Sequence, residues 1–503
     1  MIVNKTRVWL GSSLVLLGMT LFWACKTEEK LPALGERIAG PVDVATAPSG
    51  NHFYVLNSDF ERRYNEGSIM VIDPEAETPK KVATIPIPRL GRSLDVAQNL
   101  MLVTYDAEGE ELYRRIDLWN LENETNPTLI TTWNIECSPV NGILAPSQPY
   151  FVVSCLNGNV FMGHLDRSNL AASTLDLVRS YGFAHRALYF YESTAGTWLL
   201  GFPSDLDFPD VDDFPTVDKD SYDHVADKMV EDVADEVPDL FQNTPQARRR
   251  PGNGYPYQMF IYNVTGEEAA SAADPNIGEA HFRYLETGTF AKPNQVNKEM
   301  RYVYYVLREL DGTPASGEGT VDVDSRIYRT NFWTARSAPG AAAEVFYLSQ
   351  RGNSYGSTSN NVLKVEINPT ALAAADSSKF TDIFQVQRVY GFANDRDSIA
   401  RYPGAFVVTE IEGEPMLLVN HFRDLINFSN APFYSITRKF LNPPYSLQQA
   451  SSYDSTAFEA SFYQLAVSKT GKLLTCSFYG HSLYLFDVRP RTSMRDQTPI
   501  RIE

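Results

Sequence analysis

The stretch His52–Asp73, HFYVLNSDFERRYNEGSIMVID, decides how the rest of the chain is read. Phe53-Tyr54-Val55-Leu56 and Ile69-Met70-Val71-Ile72 are short runs of aromatic and aliphatic residues. Asn, Ser, Asp and Gly bound them, so each reads as a strand rather than a helix. Upstream, VDVAT is a further strand, and Pro48-Ser49-Gly50 is the turn that returns it to His52. Downstream, KKVATIPI (80–87) supplies a fourth. Four short strands in about fifty residues make one blade of a propeller.

Weaker copies of this unit follow. The second strand recurs as MLVTY (101–105), VVSCL (152–156), LLGFP (199–203), VFYLS (345–349), LLVNH (417–421) and LLTCS (474–478). A third strand follows most of them: LYRRIDLWN (112–120), NVFMGHLD (159–166), YQMFIYNV (257–264), NVLKVEIN (361–368) and SLYLFDV (482–488). The expectation is an all-β propeller over 42–503 with seven blades of four antiparallel strands. The long interval between 199 and 345 keeps an eighth blade open. Packing blades round a ring covers both faces of each and removes most open edges. TPIRIE (498–503) is the candidate closing strand, expected beside the first strand near Val42.

The chain has 503 residues, 43% of them hydrophobic and 12% aromatic, which is ample for a large core. Its net charge of -18 disfavours nucleic acid and anionic lipid as partners. Solubility alone is the plain reading of that acidity.

Lys5 and Arg7 precede an apolar run from Val8 to Ala24, in the order of an export signal. The run ends Phe22-Trp23-Ala24-Cys25 and then turns polar. A small residue before a Cys at this point resembles the bacterial lipobox, in which the Cys is lipidated and becomes the mature N-terminus. The expected organisation is a signal peptide over 1–24, lipidation at Cys25, and a tether over 25–41. A plain signal peptide or an uncleaved anchor also fits. Lys26 after the Cys points, by analogy, to the outer membrane.

VDVATAPSGNHFYVLN (42–57) and FYQLAVSKTGKLLTCSFYGHSLYLFD (462–487) resemble the YVTN-type propeller repeat, with its aliphatic strand, Gly-bearing turn, aromatic-Val strand and closing acidic residue. The resemblance covers most of 42–490. It implies a propeller in a group that includes lactonase-like enzymes, surface-layer proteins and many bacterial lipoproteins. A fold of this kind does not carry a function.

Residues 204–254 are irregular and densely acidic, ending in QARRRPGNG. Val225, Met229, Val233 and Val237 share one helical face, so 221–240 reads as an amphipathic helix. The segment lies between two strands of the fourth copy, where an insertion leaves the rim and meets partners. Asp207, Asp210, Asp212 and Asp213 offer the oxygen ligands Ca²⁺ needs, although no calcium-loop spacing is present. A solvated acidic lid, packed on the rim by its apolar face, is the favoured reading of them. Calcium is the one cofactor considered.

Gly352-Asn353-Ser354-Tyr355-Gly356 matches G-x-S-x-G, but a strand rather than a helix follows, so it reads as a hairpin loop. The histidines (His52, His164, His185, His224, His281, His421 and His481) form no metal-binding pair. His421 and His481 lie at or after second strands. They could converge with Asn57, Asp59, Arg351, Asn420 and Arg423 at the axial mouth of the ring; polar loop tips are the plain alternative. Apart from Cys25, the cysteines are Cys137, Cys155 and Cys476, and no C-x-x-C occurs. Cys137 and Cys155 flank one hairpin, where an exported protein can form a disulfide; three buried thiols fit as well.

The functional expectation is a lipid-anchored module that binds a protein partner at the bacterial envelope through its rim and insertion. No nucleic acid is expected, and the membrane enters only through the anchor. The rival is a lactonase-like hydrolase with a polar site at the axial mouth, and a third reading is a structural part of an envelope assembly. No catalytic residue can be named, and an enzyme is the less favoured class.

Overall fold

Side chains alternate along a strand, so Phe53 and Val55 face one way while Tyr54 and Leu56 face the other; all four are fully buried. A strand buried on both faces belongs to a sheet covered on both sides. The chain meets that demand with a seven-bladed β-propeller. The computed structural model describes residues 31–76, 79–106, 114–180, 185–203, 258–265, 282–286, 331–338, 342–351, 361–374, 383–391, 402–422, 434–441, 450–455, 462–478 and 480–503.

Each blade is a four-stranded antiparallel meander, innermost strand first. Blade 1 is β1 (Pro41–Thr46), β2 (Phe53–Asn57), β3 (Gly67–Asp73) and β4 (Lys80–Ile87). Blade 2 is β5 (Gly91–Ala97), β6 (Leu100–Tyr105), β7 (Arg114–Asn120) and β8 (Thr128–Ile135). Blade 3 is β9 (Pro139–Leu144), β10 (Tyr150–Cys155), β11 (Asn159–His164) and β12 (Thr174–Ser180). Blade 4 is β13 (His185–Ser193), β14 (Gly196–Pro203), β15 (Gln258–Asn263) and β16 (Phe282–Glu286). Blade 5 is β17 (Asn331–Ser337), β18 (Val345–Arg351), β19 (Asn361–Ile367) and β20 (Phe384–Gly391). Blade 6 is β21 (Tyr402–Ile411), β22 (Glu414–Phe422), β23 (Tyr434–Phe440) and β24 (Ala450–Ser455). Blade 7 is β25 (Phe462–Val467), β26 (Lys472–Ser477), β27 (Ser482–Asp487) and β28 (Ile500–Ile502). The long interval after residue 203 therefore holds the rest of blade 4 and the first strand of blade 5, not an eighth blade.

The core is divided among the seams. One hydrophobic cluster lies between each successive pair of blades, seven in all. Tyr54 and Leu56 join the cluster shared with blade 2, while Phe53 and Val55 join the one shared with blade 7. Burying an aromatic or aliphatic side chain of this size stabilises by about 2 kcal/mol, so each seam is a substantial joint.

Closure differs from expectation. β28 does form, but it pairs with β27 through Leu483↔Ile502 and completes blade 7 from its own chain segment. β1 is the innermost strand of blade 1 and pairs only with β2. Blade 7 already has its own innermost strand in β25, so it has no place for a strand from the other terminus. The ring shuts instead by side-chain packing and hydrogen bonds. Thr46 Oγ1 donates to the Val467 carbonyl (2.9 Å), the Gly40 N–H donates to His481 Nδ1 (2.9 Å), and Lys81 Nζ donates to the Glu503 carbonyl (3.0 Å).

The meander fixes two faces. The face where second strands end and third strands begin, and where successive blades connect, is called upper here. The turn between first and second strands lies on the lower face. There Ser49 of the Pro48-Ser49-Gly50 turn donates through its N–H and its hydroxyl (both 2.6 Å) to Glu124 of blade 2. The turn thus joins blades as well as reversing the chain. Cys137, just before β9, and Cys155, at the end of β10, form a disulfide at the upper end of blade 3. Cys476 is a buried free thiol.

Candidate functional site at the propeller axis

All seven inner strands share one irregularity. Near its upper end, each departs from regular pairing with the second strand by a β-bulge. The extra residues are Val42, Arg92, Val140, Arg186, Trp333-Thr334, Gly404-Ala405 and Tyr463-Gln464. A bulge re-aims the side chain it carries, and repeated round the ring it gathers residues from distant parts of the sequence.

Four of these residues form a connected group. The Arg186 guanidinium lies over the Trp333 ring, 3.7 Å from its centre, and both its terminal nitrogens lie 3.3 Å from the Tyr463 hydroxyl. Trp333 and Tyr463 meet edge to face with centroids 6.4 Å apart. Arg92 is ion-paired with Asp106 at the end of the second strand of its own blade, and its charge acts on Tyr463. Burial raises the pKa of the Tyr463 phenol, against the pull of Arg186 and Arg92.

Carboxylates sit beside this group. Asp43 accepts the Leu94 N–H of the next blade (2.8 Å) and its neighbour's Val44 N–H (2.9 Å). Burial pushes its pKa up to about 6, opposed by those hydrogen bonds and by the charges of Arg336 and Arg186. Asp95 repeats the arrangement one blade on, accepting the Leu144 N–H at 2.8 Å. Burial raises its pKa too, and Arg336 is the main opposing charge. Ser93 Oγ accepts the Gly142 N–H between the same two blades (3.0 Å). The inner strands of blades 1, 2 and 3 are thus linked in series.

Sequence reasoning passed over Asp43, Asp95, Arg186, Trp333, Arg336 and Tyr463. A signal existed for two of them: an Asp inside an apolar strand (VDVA, LDVA) is costly unless its oxygens are satisfied. Arg186, Trp333 and Tyr463 gave none, because a bulge leaves no mark in a single sequence.

Of the residues expected at the axial mouth, Asn57, Asp59, Arg351, Asn420, His421 and His481 are described and lie at the upper face, in separate roles. Asn57 Nδ2 donates to Ser68 Oγ within blade 1 (2.9 Å). Asp59, at φ 46°, accepts the Arg63 and Tyr64 N–H groups (3.1 and 2.9 Å) and shapes its loop. Asn420 Nδ2 donates to the Phe462 and Tyr463 carbonyls (2.9 and 2.7 Å), tying blade 6 to blade 7. His421 Nε2 meets the Tyr390 hydroxyl of blade 5 at 3.0 Å. His481 meets Gly40 and, at 3.4 Å, Glu61, on the seam between blades 7 and 1. Arg351 ends β18 at the same face. His481 thus bonds across the seam of blades 7 and 1, while Asn420 and His421 bond to blades 7 and 5.

Cys25, Ser354, Arg423, the 221–240 helix and the aspartates Asp207, Asp210, Asp212 and Asp213 lie outside the described residues. Among the described residues, no group of three or more His, Cys, Asp or Glu could hold a metal, and no helix is long and apolar enough to cross a membrane.

No protein-family model matches the chain, and no curated protein matches it. Solved structures do. A chain of the COPII outer coat vertex on membranes is 8% identical at TM-score 0.50, covering 92% of this chain and 88% of that one. Saccharomyces cerevisiae Sqt1 is 9% identical at TM-score 0.44, covering 91% and 84%. The complex of KlAtg21 with the coiled coil of AgAtg16 contains a match 9% identical at TM-score 0.44, covering 92% and 98%. At TM-score 0.50 and 8% identity, the COPII chain marks a common fold and nothing finer.

Proposed function

We propose that the protein is a lipid-anchored propeller of the bacterial envelope that binds a protein partner at its upper face. The observation that carries this reading is topological. The two longest connections, 204–257 within blade 4 and 287–330 between blades 4 and 5, both join strand ends at that face. Long connections on a rigid scaffold are where recognition residues concentrate.

The N-terminus supports the same orientation. The Asn65 N–H, in the connection after β2, donates to the Pro32 carbonyl at 3.1 Å, so the described chain begins at the upper face. A lipid on Cys25 would lie within about 25 Å of that point even with the intervening chain fully extended. The partner would then meet the propeller close to the bilayer. The charged and then apolar order of the first 25 residues, and the resemblance to YVTN-type repeats, fit an exported lipoprotein.

The test is a pull-down from detergent-solubilised envelope with the full-length chain and a variant lacking 205–250. A partner held by the first and lost by the second is the expected result. A partner held equally by both would place recognition elsewhere, and no partner in either would overturn the reading.

One observation favours a second reading, a lactonase-like hydrolase: the axis carries Asp43, with a pKa of about 6, close to Arg186 and Arg336. Against it, both Asp43 oxygens already accept backbone N–H groups. Hydrolysis of a lactone panel, lost in Asp43→Asn, would turn the assignment toward the enzyme.

A further inference from the structure

The seam that closes the ring carries a histidine whose tautomer is fixed. His481 lies in the turn between β26 and β27, at the upper face of blade 7, with its backbone in the left-handed region at φ 44°. A residue other than glycine stays there only where its surroundings hold it. This backbone carries the imidazole across the seam to blade 1. The ring lies parallel to Phe60 with centroids 6.1 Å apart, and Phe60 stacks on Phe478 at 3.9 Å.

Both ring nitrogens have defined roles. Nδ1 accepts the Gly40 N–H at 2.9 Å, so the ring is neutral and its proton sits on Nε2, 3.4 Å from Glu61 Oε1. Gly40 ends a strap, residues 31–40, that crosses the upper face before β1. The Gly40 and Ala39 carbonyls accept the Ser58 and Asp59 N–H groups, each at 3.0 Å, and Leu34, Ile38 and Ala39 are buried. Among the described residues, Glu61 is the charged group in contact with the ring, and it is also paired with Arg63. The other charges nearby are engaged elsewhere. Asp59 accepts the Arg63 and Tyr64 N–H groups, and Arg37 of the strap lies over the Tyr64 ring at 5.6 Å. Apart from His481 itself, residues 477–482 carry no charge.

Protonation reverses one of these roles. A charged imidazole donates through both nitrogens. Nδ1–H and the Gly40 N–H then become two donors facing each other, and their bond is lost. On the other side, the Glu61 carboxylate favours the charged ring. The His481 side chain is 23% exposed, so solvent protons reach it. We propose that His481 is a pH-operated clasp, which when neutral holds Gly40 in the seam between blades 7 and 1 and when charged releases Gly40 and turns to Glu61. The Thr46–Val467 bond and the hydrophobic cluster of the seam hold in both states, so the change is local and the ring stays closed. The chain leading back to residues 1–30 then joins the ring more loosely, whether or not Cys25 carries a lipid.

Hydrogen exchange of the full chain tests it, read by mass spectrometry on peptides covering 38–42. Rates are taken relative to the unfolded peptide at each pH, which cancels the intrinsic pH dependence of exchange. Protection of the Gly40 amide is expected to fall at least tenfold between about pH 7.5 and about pH 5.5, the range in which histidines titrate. His481→Asn keeps an acceptor where Nδ1 stood, cannot take up a proton, and suits the left-handed backbone. Its Gly40 protection should stay constant over the same range. Glu61→Gln, which removes the charge that favours the imidazolium, should move the fall to lower pH. Constant protection in the parent, an equal fall in His481→Asn, or an unmoved midpoint in Glu61→Gln would each overturn the proposal.

Discussion

Arg186 and Trp333 sit on the bulges of neighbouring inner strands, with the guanidinium 3.7 Å from the ring centre. A buried cation over an indole is worth about 2 kcal/mol beyond its packing. Arg186→Met, Trp333→Leu and the double variant should therefore show a coupling of about 1–2 kcal/mol in urea unfolding. Additive losses would mean that the stacking adds nothing to ordinary packing.

Asp43 gives the ring a pH dependence with a definite sign. Its pKa rises from 3.8 unfolded to about 6 folded, so the folded state binds more protons between these values. Stability from this group is full below about pH 4 and falls, by about 3 kcal/mol in total, as pH rises through 6. Asp43→Asn should lack that slope, so the stability difference between parent and variant in chemical denaturation should change across pH 4, 5, 6 and 7. A parallel pair of curves would show that Asp43 does not titrate in this range.

The Cys137–Cys155 bridge closes a loop with a sequence separation of 18 residues. Restricting the unfolded chain over that length is worth about 3 kcal/mol. The Cys137→Ser, Cys155→Ser pair should lower the melting temperature, and reductant should lower that of the parent toward the same value. Equal melting with and without reductant would show the bond to be dispensable.

Gly404 has no room for a methyl group, because a Cβ there would meet Asn420 Oδ1 at 2.5 Å. Gly404→Ala should dislodge the side chain that bonds the Phe462 and Tyr463 carbonyls. Two lost bonds from a buried amide cost about 2–3 kcal/mol. Asn420→Ala made in the Gly404→Ala background should then cost little more. A full additional loss would show that Asn420 had not moved.

Cys25→Ser should leave the protein either soluble or as an unprocessed precursor. A cleaved, detergent-partitioning product from that variant would remove the lipobox from the argument.

Most of the fold could be read because second strands are nearly pure aromatic and aliphatic runs, buried on both faces. The third strand of blade 6 escaped notice for a physical reason. YSITRKF (434–440) reads as polar, yet Arg438 and Lys439 are buried. Arg438 donates to the Val488 and Thr492 carbonyls (3.2 and 2.8 Å), and Lys439 donates to the Val389 carbonyl. Their charges are spent as fasteners to blades 7 and 5, a role that hydropathy cannot register. The converse holds at the upper face. Asn420 and His421 look chemical in isolation, but neighbouring blades occupy them. Arg186 and Trp333 look ordinary until the bulges bring them together.

A propeller whose last blade borrows a strand from the first is latched, and cutting the chain anywhere else leaves that latch in place. Here every blade is continuous in sequence, and the seam between blades 7 and 1 is a joint of the same kind as the other six. No position in the ring is privileged as its beginning. A circular permutant joining Glu503 to the segment before Pro41 and opening at another inter-blade connection should therefore build the same ring. During synthesis, each blade can complete its sheet as it emerges, and the ring need not wait for a terminal strand to return.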